Sequence, residues 1–188
     1  MIIFVGGLVG AGKSTIARGL AQHFSIPYYD VDEIKKVVYR QDPDFETNVT
    51  EGIPFSDELR LEVFRRVFVD LEEMLKTHEH VVVDEALHKR TIRHVLYNEA
   101  RQLAGDFIVI WVQAREDIIL QRLGGKRRKG HLLSDPLPLH KAFARDFDNY
   151  QRCVIDCPNN GAPEEAISDL THLIECIGTL VSRKPSEQ

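Results

Sequence analysis

Short apolar runs recur along the chain and are typical of strands buried within a sheet. Most contain β-branched or aromatic side chains and are bounded by polar or glycine-containing segments. The runs lie at Ile2–Val5, Pro27–Tyr29, His80–Val83, Phe107–Val112 and Cys153–Ile155. We expect a strand at each of these five places.

Amphipathic segments separate these runs. The clearest is Ser56–Lys76, which begins with Ser-Asp-Glu and repeats apolar residues at spacings of three and four. Further helices are predicted at Ser14–His23, Val31–Arg40, Lys89–Leu103, Glu116–Leu123, Leu139–Asp146 and Pro163–Leu180. Because strands and helices alternate, we predict the α/β class, with a mostly parallel sheet covered by helices on both faces.

Two stretches fall outside this alternation, Gln41–Phe55 and Gly124–Pro138, and both are predicted to be mobile loops. No internal repeat or linker divides the 188 residues. We therefore expect one domain over residues 1–182, with the lid described below at about 123–138, and a frayed tail at 183–188.

Charge and the start of the chain exclude some functional classes. Lys and Arg total 24 against 29 for Asp and Glu, a net charge of -5, which disfavours a dedicated nucleic-acid binder. The opening apolar run has no basic residues before it and stops at Gly6, too short for a signal-peptide core or a membrane span. We expect a cytoplasmic protein without a membrane partner.

One motif carries specific chemistry, because it matches G-x-x-x-x-G-K-[ST] in full between the first strand and a helix. Its residues are Gly7, Leu8, Val9, Gly10, Ala11, Gly12, Lys13 and Ser14. In such a loop the backbone N–H groups and the helix dipole bind the phosphates of a nucleotide. Lys13 is expected to bridge the β- and γ-phosphates and Ser14 to offer its hydroxyl to Mg²⁺. The prediction is ATP and Mg²⁺ binding through Gly7–Thr15.

This loop alone does not define the reaction, because GTPases, hydrolytic ATPases and small-molecule kinases share it. The Asn-Lys-x-Asp tetrapeptide that reads guanine is absent. The third predicted strand continues into Asp84-Glu85-Ala86-Leu87, without the Asp-x-x-Gly switch of GTPases. A GTPase is therefore disfavoured.

The sequence resembles the P-loop small-molecule kinases, the group of shikimate and gluconate kinases, chloramphenicol phosphotransferase, zeta toxins and polynucleotide 5′-kinase domains. Beyond the loop, the resemblance rests on Asp32–Lys36, Val81–Asp84 and Arg122-Leu123. It implies a P-loop NTPase fold with a five-stranded parallel sheet and a mobile lid between the fourth strand and the last. It also implies transfer of the γ-phosphoryl group of ATP to a hydroxyl of a small molecule.

Carboxylates after the second strand are candidates for the acceptor and metal sites. Asp32 could accept a hydrogen bond from the acceptor hydroxyl and take its proton. Asp30 forms an Asp-x-Asp with it, as in the shikimate-kinase branch, where the resemblance implies a water-mediated contact to Mg²⁺. Either residue could instead cap the helix that follows. Lys35 stands where related kinases often have Arg, and it is a candidate substrate contact.

The third strand supplies further candidates. Asp84 is placed to hold the hydrated metal or the acceptor. Glu85 beside it keeps open a hydrolytic ATPase, in which a second carboxylate aligns water. Arg90 and Arg93, one turn apart on the next helix, face either an anionic substrate or solvent. Arg90 is taken as the candidate substrate contact.

A basic cluster in an acidic chain follows the fourth strand. It consists of Arg122, Lys126, Arg127, Arg128 and Lys129, flanked by glycines. Its placement favours a lid that closes over the triphosphate, with Arg122 on the transferring phosphoryl group and Arg127 or Arg128 next. A solvated charge run and an anion patch for RNA are the alternatives. A polynucleotide or nucleoside 5′-kinase and an ATP sensor without an acceptor therefore stay open, as does the oligomeric state.

Overall fold

The computed structural model describes residues 1–51, 53–124, 137–145, 147 and 154–176. Five strands form one parallel sheet in the order β2-β3-β1-β4-β5. The strands are β1 (Ile2–Gly7), β2 (Tyr28–Asp30), β3 (Val81–Asp84), β4 (Phe107–Gln113) and β5 (Ile155–Pro158). The sheet confirms the predicted α/β class and the five-stranded P-loop fold.

Helices connect the strands. They are α1 (Lys13–Phe24), α2 (Val31–Tyr39), α3 (Phe45–Glu51), α4 (Asp57–Leu75), α5 (Arg90–Ala104), α6 (Glu116–Gly124), α7 (Leu137–Arg145) and α8 (Pro163–Cys176). Two helix starts are fixed by side chains. The Ser56 hydroxyl accepts a hydrogen bond from the Leu59 N–H at α4, and the Asp30 carboxylate accepts one from the Asp32 N–H at α2. No helix in the described part of the chain is both long and apolar enough to cross a membrane.

The core lies on both faces of the sheet, because successive residues of a strand point to opposite sides. Ile2 and Phe4 of β1 pack into a cluster with α2, α4 and α5. Ile3 and Val5 pack into a second cluster with α1 and α8. The near-continuous apolar runs of the sequence reflect this two-sided burial.

Strand register brings polar residues together at one edge of the sheet. Val5 of β1 lies opposite Asp84 of β3, and Asp84 lies opposite Asp30 of β2. Since all five strands are parallel, their carboxyl ends share this edge, as is typical of ligand sites in α/β sheets. The P-loop follows β1 directly at the same edge.

Several sequence-based boundaries need correction. The predicted loop Gln41–Phe55 contains α3, because Phe45 and Val49, four residues apart, pack against the core cluster of α2 and α4. β5 begins two residues later than predicted and ends at Pro158. β3 begins at Val81, one residue after the start of the apolar run His80–Val83, and ends at Asp84 as the sequence indicates. The predicted lid segment 125–136 and the tail 177–188 lie outside the described residues.

Candidate active site

The P-loop wraps between β1 and α1 in a conformation that requires glycine. Gly12 has φ +98°, and a Cβ there would lie 2.3 Å from Asn159 Nδ2. At Gly7 (φ +147°) a Cβ would lie 2.4 Å from the backbone oxygen of Val112. Both positions combine a positive φ with a close approach, so a side chain at either is excluded. The glycines of the motif therefore serve the tight turn from which phosphate-binding loops present their N–H groups.

A cavity of about 330 Å³ opens beside this loop at the carboxyl edge of the sheet. Ten of the predicted site residues line it: Val9, Gly10, Gly12, Lys13, Ser14, Thr15, Asp32, Lys35, Asp84 and Arg122. Gly7, Leu8, Ala11, Asp30 and Arg90 are not among the lining residues. Arg127 and Arg128 lie outside the described residues. The cavity thus joins the phosphate-binding motif to the carboxylates that follow β2 and β3.

Oxygen atoms converge near the start of α1. The Ser14 hydroxyl lies close enough to the Asp84 carboxylate to lower its pKa. The Tyr28 hydroxyl lies 3.1 Å from Asp84 Oδ2 and 3.2 Å from Asp30 Oδ2, so it links the two carboxylates. Mg²⁺ takes oxygen ligands and retains several waters, so Ser14 and Asp84 are suitable to hold it. Asp30 also caps α2 and lies 3.6 Å from Arg18 Nη2.

Asp84 is a buried carboxylate whose pKa is raised, chiefly because burial removes it from water. Lys13 and the hydrogen bond from Ser14 act in the opposite direction. A carboxylate with this little solvation gains much from a nearby cation. Its environment therefore fits the hydrated Mg²⁺ that accompanies a nucleotide.

Lys35 joins the two remaining carboxylates of the cavity. Its Nζ lies 3.0 Å from Asp32 Oδ1 and 2.6 Å from Glu85 Oε2. The pKa of Lys35 is raised, because attraction to these acidic groups outweighs the desolvation that opposes it. A compact ammonium can contact two carboxylates from one point, as Lys35 does here.

Aromatic rings line the end of the cavity away from the P-loop. Tyr39 stacks on Phe55 with ring centroids 4.0 Å apart, and Phe143 of α7 stacks on His88 at 3.8 Å. All four residues line the cavity. Burial raises the pKa of Tyr39 to about 12, so its hydroxyl stays protonated at neutral pH.

Arg60 and His88 form a buried pair that the sequence did not reveal. Arg60 Nη1 lies 3.2 Å from His88 Nε2. A guanidinium only donates, so Nε2 accepts and the imidazole is neutral with its proton on Nδ1. Burial and the adjacent positive charges, Arg60 first among them, lower the pKa of His88 to about 3. The pair joins α4 to the turn after β3, 28 residues further along the chain.

The turn after β3 is held by hydrogen bonds from Arg93. Leu87 has φ +55°, an unfavourable conformation for a residue with a branched side chain. Arg93 is 4% exposed, and its Nη1 donates to the backbone oxygens of Leu87 at 2.7 Å and His88 at 3.1 Å. The expectation that Arg93 faces a substrate or solvent is therefore wrong. Arg90 lies exposed at the first position of α5.

Arg122 bridges two loops at the nucleotide side of the cavity. Its Nη1 donates to the backbone oxygen of Ala11 and its Nη2 to that of Asn159, each at 3.1 Å. Asn159 Nδ2 also donates to the Ala11 oxygen, at 2.8 Å. The sequence analysis assigned no role to Asn159. An Asn directly after a strand that ends beside the P-loop is the signal that could have identified Asn159.

Helix α7 contacts both ends of the cavity. His140 Nδ1 lies 2.9 Å from the backbone oxygen of Val9 in the P-loop. Phe143, nearly one turn later, is the residue stacked on His88. Because an imidazole N–H must donate to that oxygen, the protonated Nδ1 of His140 fixes α7 against the P-loop. This helix follows directly on the predicted lid.

Comparisons with known proteins agree with this geometry. A family model described as "AAA domain" matches residues 3–132. An adenylyl-sulfate kinase of Gloeothece citriformis is 28% identical over 95% of this chain and 96% of its own. A shikimate kinase of Rhodopseudomonas palustris is 29% identical, with 93% and 78% covered. A probable gluconokinase of Saccharomyces cerevisiae is 30% identical, with 70% and 67% covered.

Solved structures show the same fold at lower sequence identity. A sugar kinase from Janibacter sp. HTCC2649 superposes with a TM-score of 0.73 at 20% identity, covering 97% of this chain and 98% of its own. A gluconokinase from Sinorhizobium meliloti 1021 gives 0.65 at 22% identity, covering 94% and 95%. The chain therefore belongs to the AAA domain family, and its relatives and fold place it among the P-loop small-molecule kinases.

Proposed function

We propose that this protein transfers the γ-phosphoryl group of ATP to a hydroxyl of a small molecule. The observation that carries the proposal is the shared cavity, which the P-loop lines on one side and Asp32 and Lys35 on the other. Such an arrangement could hold a triphosphate and a second substrate in one space, as in-line phosphoryl transfer requires.

Lys13 and the P-loop are the proposed ATP site. Lys13 Nζ lies 3.3 Å from the backbone oxygen of Leu8, a weak contact that a phosphate oxygen can replace. Ser14 and Asp84 would hold Mg²⁺, with Asp30 contributing through the Tyr28 hydroxyl or through water. When bound, the ion neutralises charge on the phosphates and orients them.

Asp32 is the proposed anchor and base for the acceptor. It lies at the second position of α2, where its backbone N–H is capped by Asp30. Its carboxylate would accept a hydrogen bond from the acceptor hydroxyl and take the proton as the new P–O bond forms. Lys35 holds Oδ1 and thereby fixes the rotamer. Asp84, Lys35 and Arg90 remain proposed substrate contacts.

Cations would stabilise the charge that spreads over the transferred group. Arg122 is the proposed catalytic arginine, with Arg127 and Arg128 as further nucleotide contacts from the lid. Its guanidinium already contacts the P-loop backbone at Ala11. Closure of the lid would exclude water and bring these charges to the γ-phosphate.

Glu85 argues against the hydrolytic alternative. A carboxylate that aligns attacking water must be available to accept its proton. Glu85 is 7% exposed and forms a 2.6 Å ion pair with Lys35. This buried contact leaves Glu85 less accessible to a water molecule than the half-exposed carboxylate of Asp32, and it favours a positioning role for Glu85 in the acceptor pocket.

Replacing Asp32 by Asn tests the acceptor role. With an acceptor found by screening alcohols with labelled ATP, Asp32→Asn should lower kcat/KM by about 10²–10⁴. ATP affinity, measured by calorimetry, should be nearly unchanged. Asp44→Asn is the matched control, since Asp44 is exposed and outside the cavity wall. Wild-type kcat/KM in Asp32→Asn would refute the assignment.

A further inference from the structure

A tyrosine hydroxyl lies between the two acidic residues that end β2 and β3. Tyr28 Oη is 3.2 Å from Asp30 Oδ2 and 3.1 Å from Asp84 Oδ2. Asp30 lies opposite Asp84 in the register of these strands, and Tyr28 precedes Asp30 by two residues, so both project from the same face of β2. Tyr28 is not among the residues that line the ATP and acceptor cavity. Any effect of its hydroxyl on a ligand there therefore passes through the carboxylates that it contacts.

The ring that carries this hydroxyl is held by its surroundings. Tyr28 packs against the core cluster formed with α1 and α8. On α1, the guanidinium carbon of Arg18 lies 5.0 Å from the centroid of the Tyr28 ring, a cation–π contact. Arg18 Nη2 also lies 3.6 Å from Asp30 Oδ2. Arg18 thus places positive charge beside Asp30 and covers the ring of Tyr28, which gives the hydroxyl a defined position.

Only one of the two carboxylates can receive the hydroxyl proton at a time, because a tyrosine hydroxyl has a single hydrogen to donate. Asp30 already accepts from the Asp32 N–H at Oδ1 and has Arg18 beside Oδ2. Asp84 is only 6% exposed, so bulk water would not replace a donor that it lost. We therefore expect Tyr28 to donate mainly to Asp84.

A donor at Asp84 matters because the backbone does not fix the plane of an aspartate carboxylate. The last side-chain torsion of Asp has a broad distribution, so hydrogen bonds decide which way the two oxygens point. With Oδ2 bound by Tyr28, Oδ1 of Asp84 is the oxygen left for Ser14 and for a water of a hydrated ion. Mg²⁺ requires nearly ideal octahedral geometry, so the direction of that oxygen affects its binding.

We propose that Tyr28 is a positioning residue of the metal site, where it holds the Asp84 carboxylate in the orientation that Mg²⁺–ATP requires. The inference rests on the proposed function, in which Ser14 and Asp84 hold Mg²⁺, and it adds a residue that contacts neither the ion nor the nucleotide. The competing interpretation is that the hydroxyl only reduces repulsion between Asp30 and Asp84. In that case its removal would change stability but not the effect of Mg²⁺ on nucleotide binding.

Calorimetry with the β,γ-imido analogue of ATP tests the role of Tyr28 without an acceptor. The Mg²⁺ gain is the affinity for this analogue in Mg²⁺ divided by the affinity in EDTA. Tyr28→Phe keeps the ring that packs in the core, so the variant should fold. Its Mg²⁺ gain should be about tenfold smaller than that of the wild type, as is typical when a partner of a metal-binding group is removed. Its affinity in EDTA should be nearly that of the wild type, because the P-loop is unchanged.

The adjacent tyrosine of β2 provides the matched control. Tyr29 projects from the opposite face of the strand, and its hydroxyl lies 2.5 Å from Asp70 Oδ2. Tyr29→Phe removes the same group one residue away and should leave the Mg²⁺ gain unchanged. Circular dichroism checks that each variant folds.

A double variant distinguishes positioning from a general structural effect. Asp84→Ala removes the carboxylate that Tyr28 holds, so adding Tyr28→Phe to it should reduce the Mg²⁺ gain no further. A wild-type Mg²⁺ gain in Tyr28→Phe, or a further tenfold loss in the double variant, would overturn the positioning role and leave the proposed function standing. A wild type without any Mg²⁺ gain would instead contradict the proposed Mg²⁺ site and, with it, this inference.

Discussion

At the scale of single residues, protonation in the cavity beside the P-loop depends on what each side chain contacts and how deeply it is buried. His88 accepts from Arg60, so a proton on Nε2 would remove the hydrogen bond and place two cations side by side. The pKa of His88 is accordingly lowered to about 3. Asp84 shows the opposite case, a carboxylate whose pKa is raised by burial. Both residues line the cavity, and for both of them burial favours the uncharged form.

His88 should make the folded protein sensitive to acid. Its pKa is about 6.5 when unfolded and about 3 when folded. Between these values the unfolded state binds more protons, so stability falls as pH decreases from 6.5 toward 3. The contribution of this one group has a slope of up to about 1.4 kcal/mol per pH unit.

His88→Gln tests this contribution, because Gln keeps an acceptor for Arg60 but does not titrate. The free energy of unfolding, measured with urea between pH 6 and about 4, should depend less on pH in this variant than in the wild type. His94→Gln, at an exposed position of α5, is the control and should retain the wild-type slope. Equal slopes in His88→Gln and wild type would show that His88 is not held neutral.

At the scale of helices and strands, local sequence patterns predicted the elements whose formation depends on residues close together in the chain. The Gly-x-x-x-x-Gly-Lys-Ser motif located the P-loop, and two-sided apolar runs located the strands of the sheet. Helix α3 was missed, since its two core contacts, Phe45 and Val49, lie in a polar stretch whose composition resembles a loop. The predicted bounds of the edge strand β5 were two residues too early at its start, because an edge strand has fewer neighbours and its sequence is less uniformly apolar.

Contacts between elements that are far apart in the chain could not be predicted from the sequence. Arg60 meets His88 across 28 residues, and Asn159 meets Ala11 across 148. No local spacing encodes such pairs, because the parallel sheet and its crossover helices bring them together. Candidate residues within or next to a motif were therefore identifiable, whereas Arg60, His88, Asn159 and His140 required the fold.

Arg122 of α6 joins the P-loop to the turn after β5, and its removal tests the role of this connection. Arg122→Ala should lower kcat about tenfold or more with little change in KM for ATP, if the guanidinium acts chiefly on the transferring group. Arg122→Lys should not restore the rate, because one ammonium cannot reproduce the planar fork that reaches both backbone oxygens.

Arg115→Ala is the control for Arg122→Ala. Arg115 is an exposed arginine just before α6 that pairs with Asp117 at 3.1 Å, and it does not line the cavity. Steady-state kinetics with varied ATP distinguishes the possibilities. A raised KM for ATP with unchanged kcat would assign Arg122 to holding the nucleotide loop rather than to the transition state.

At the scale of the whole molecule, the candidate site residues lie along one edge of the sheet. The central strand β1 leads into the P-loop, while β2 and β3 on one side lead to the acidic residues and β5 on the other leads to Asn159. In the proposed function, residues at this one edge of the sheet would serve the nucleotide, Mg²⁺ and the acceptor together.

Transfer of label from ATP is the measurement that tests the central claim most directly. The protein is incubated with Mg²⁺, ATP labelled in the γ-phosphoryl group and a panel of sugar acids, hydroxylated ring compounds and nucleosides. We predict that label enters a phosphate ester of one class of acceptor, and that Lys13→Ala abolishes this transfer. Label released only as inorganic phosphate, at a rate independent of every acceptor, would indicate a hydrolase and contradict the account. No release of label with any acceptor would instead indicate an ATP sensor and would contradict it equally.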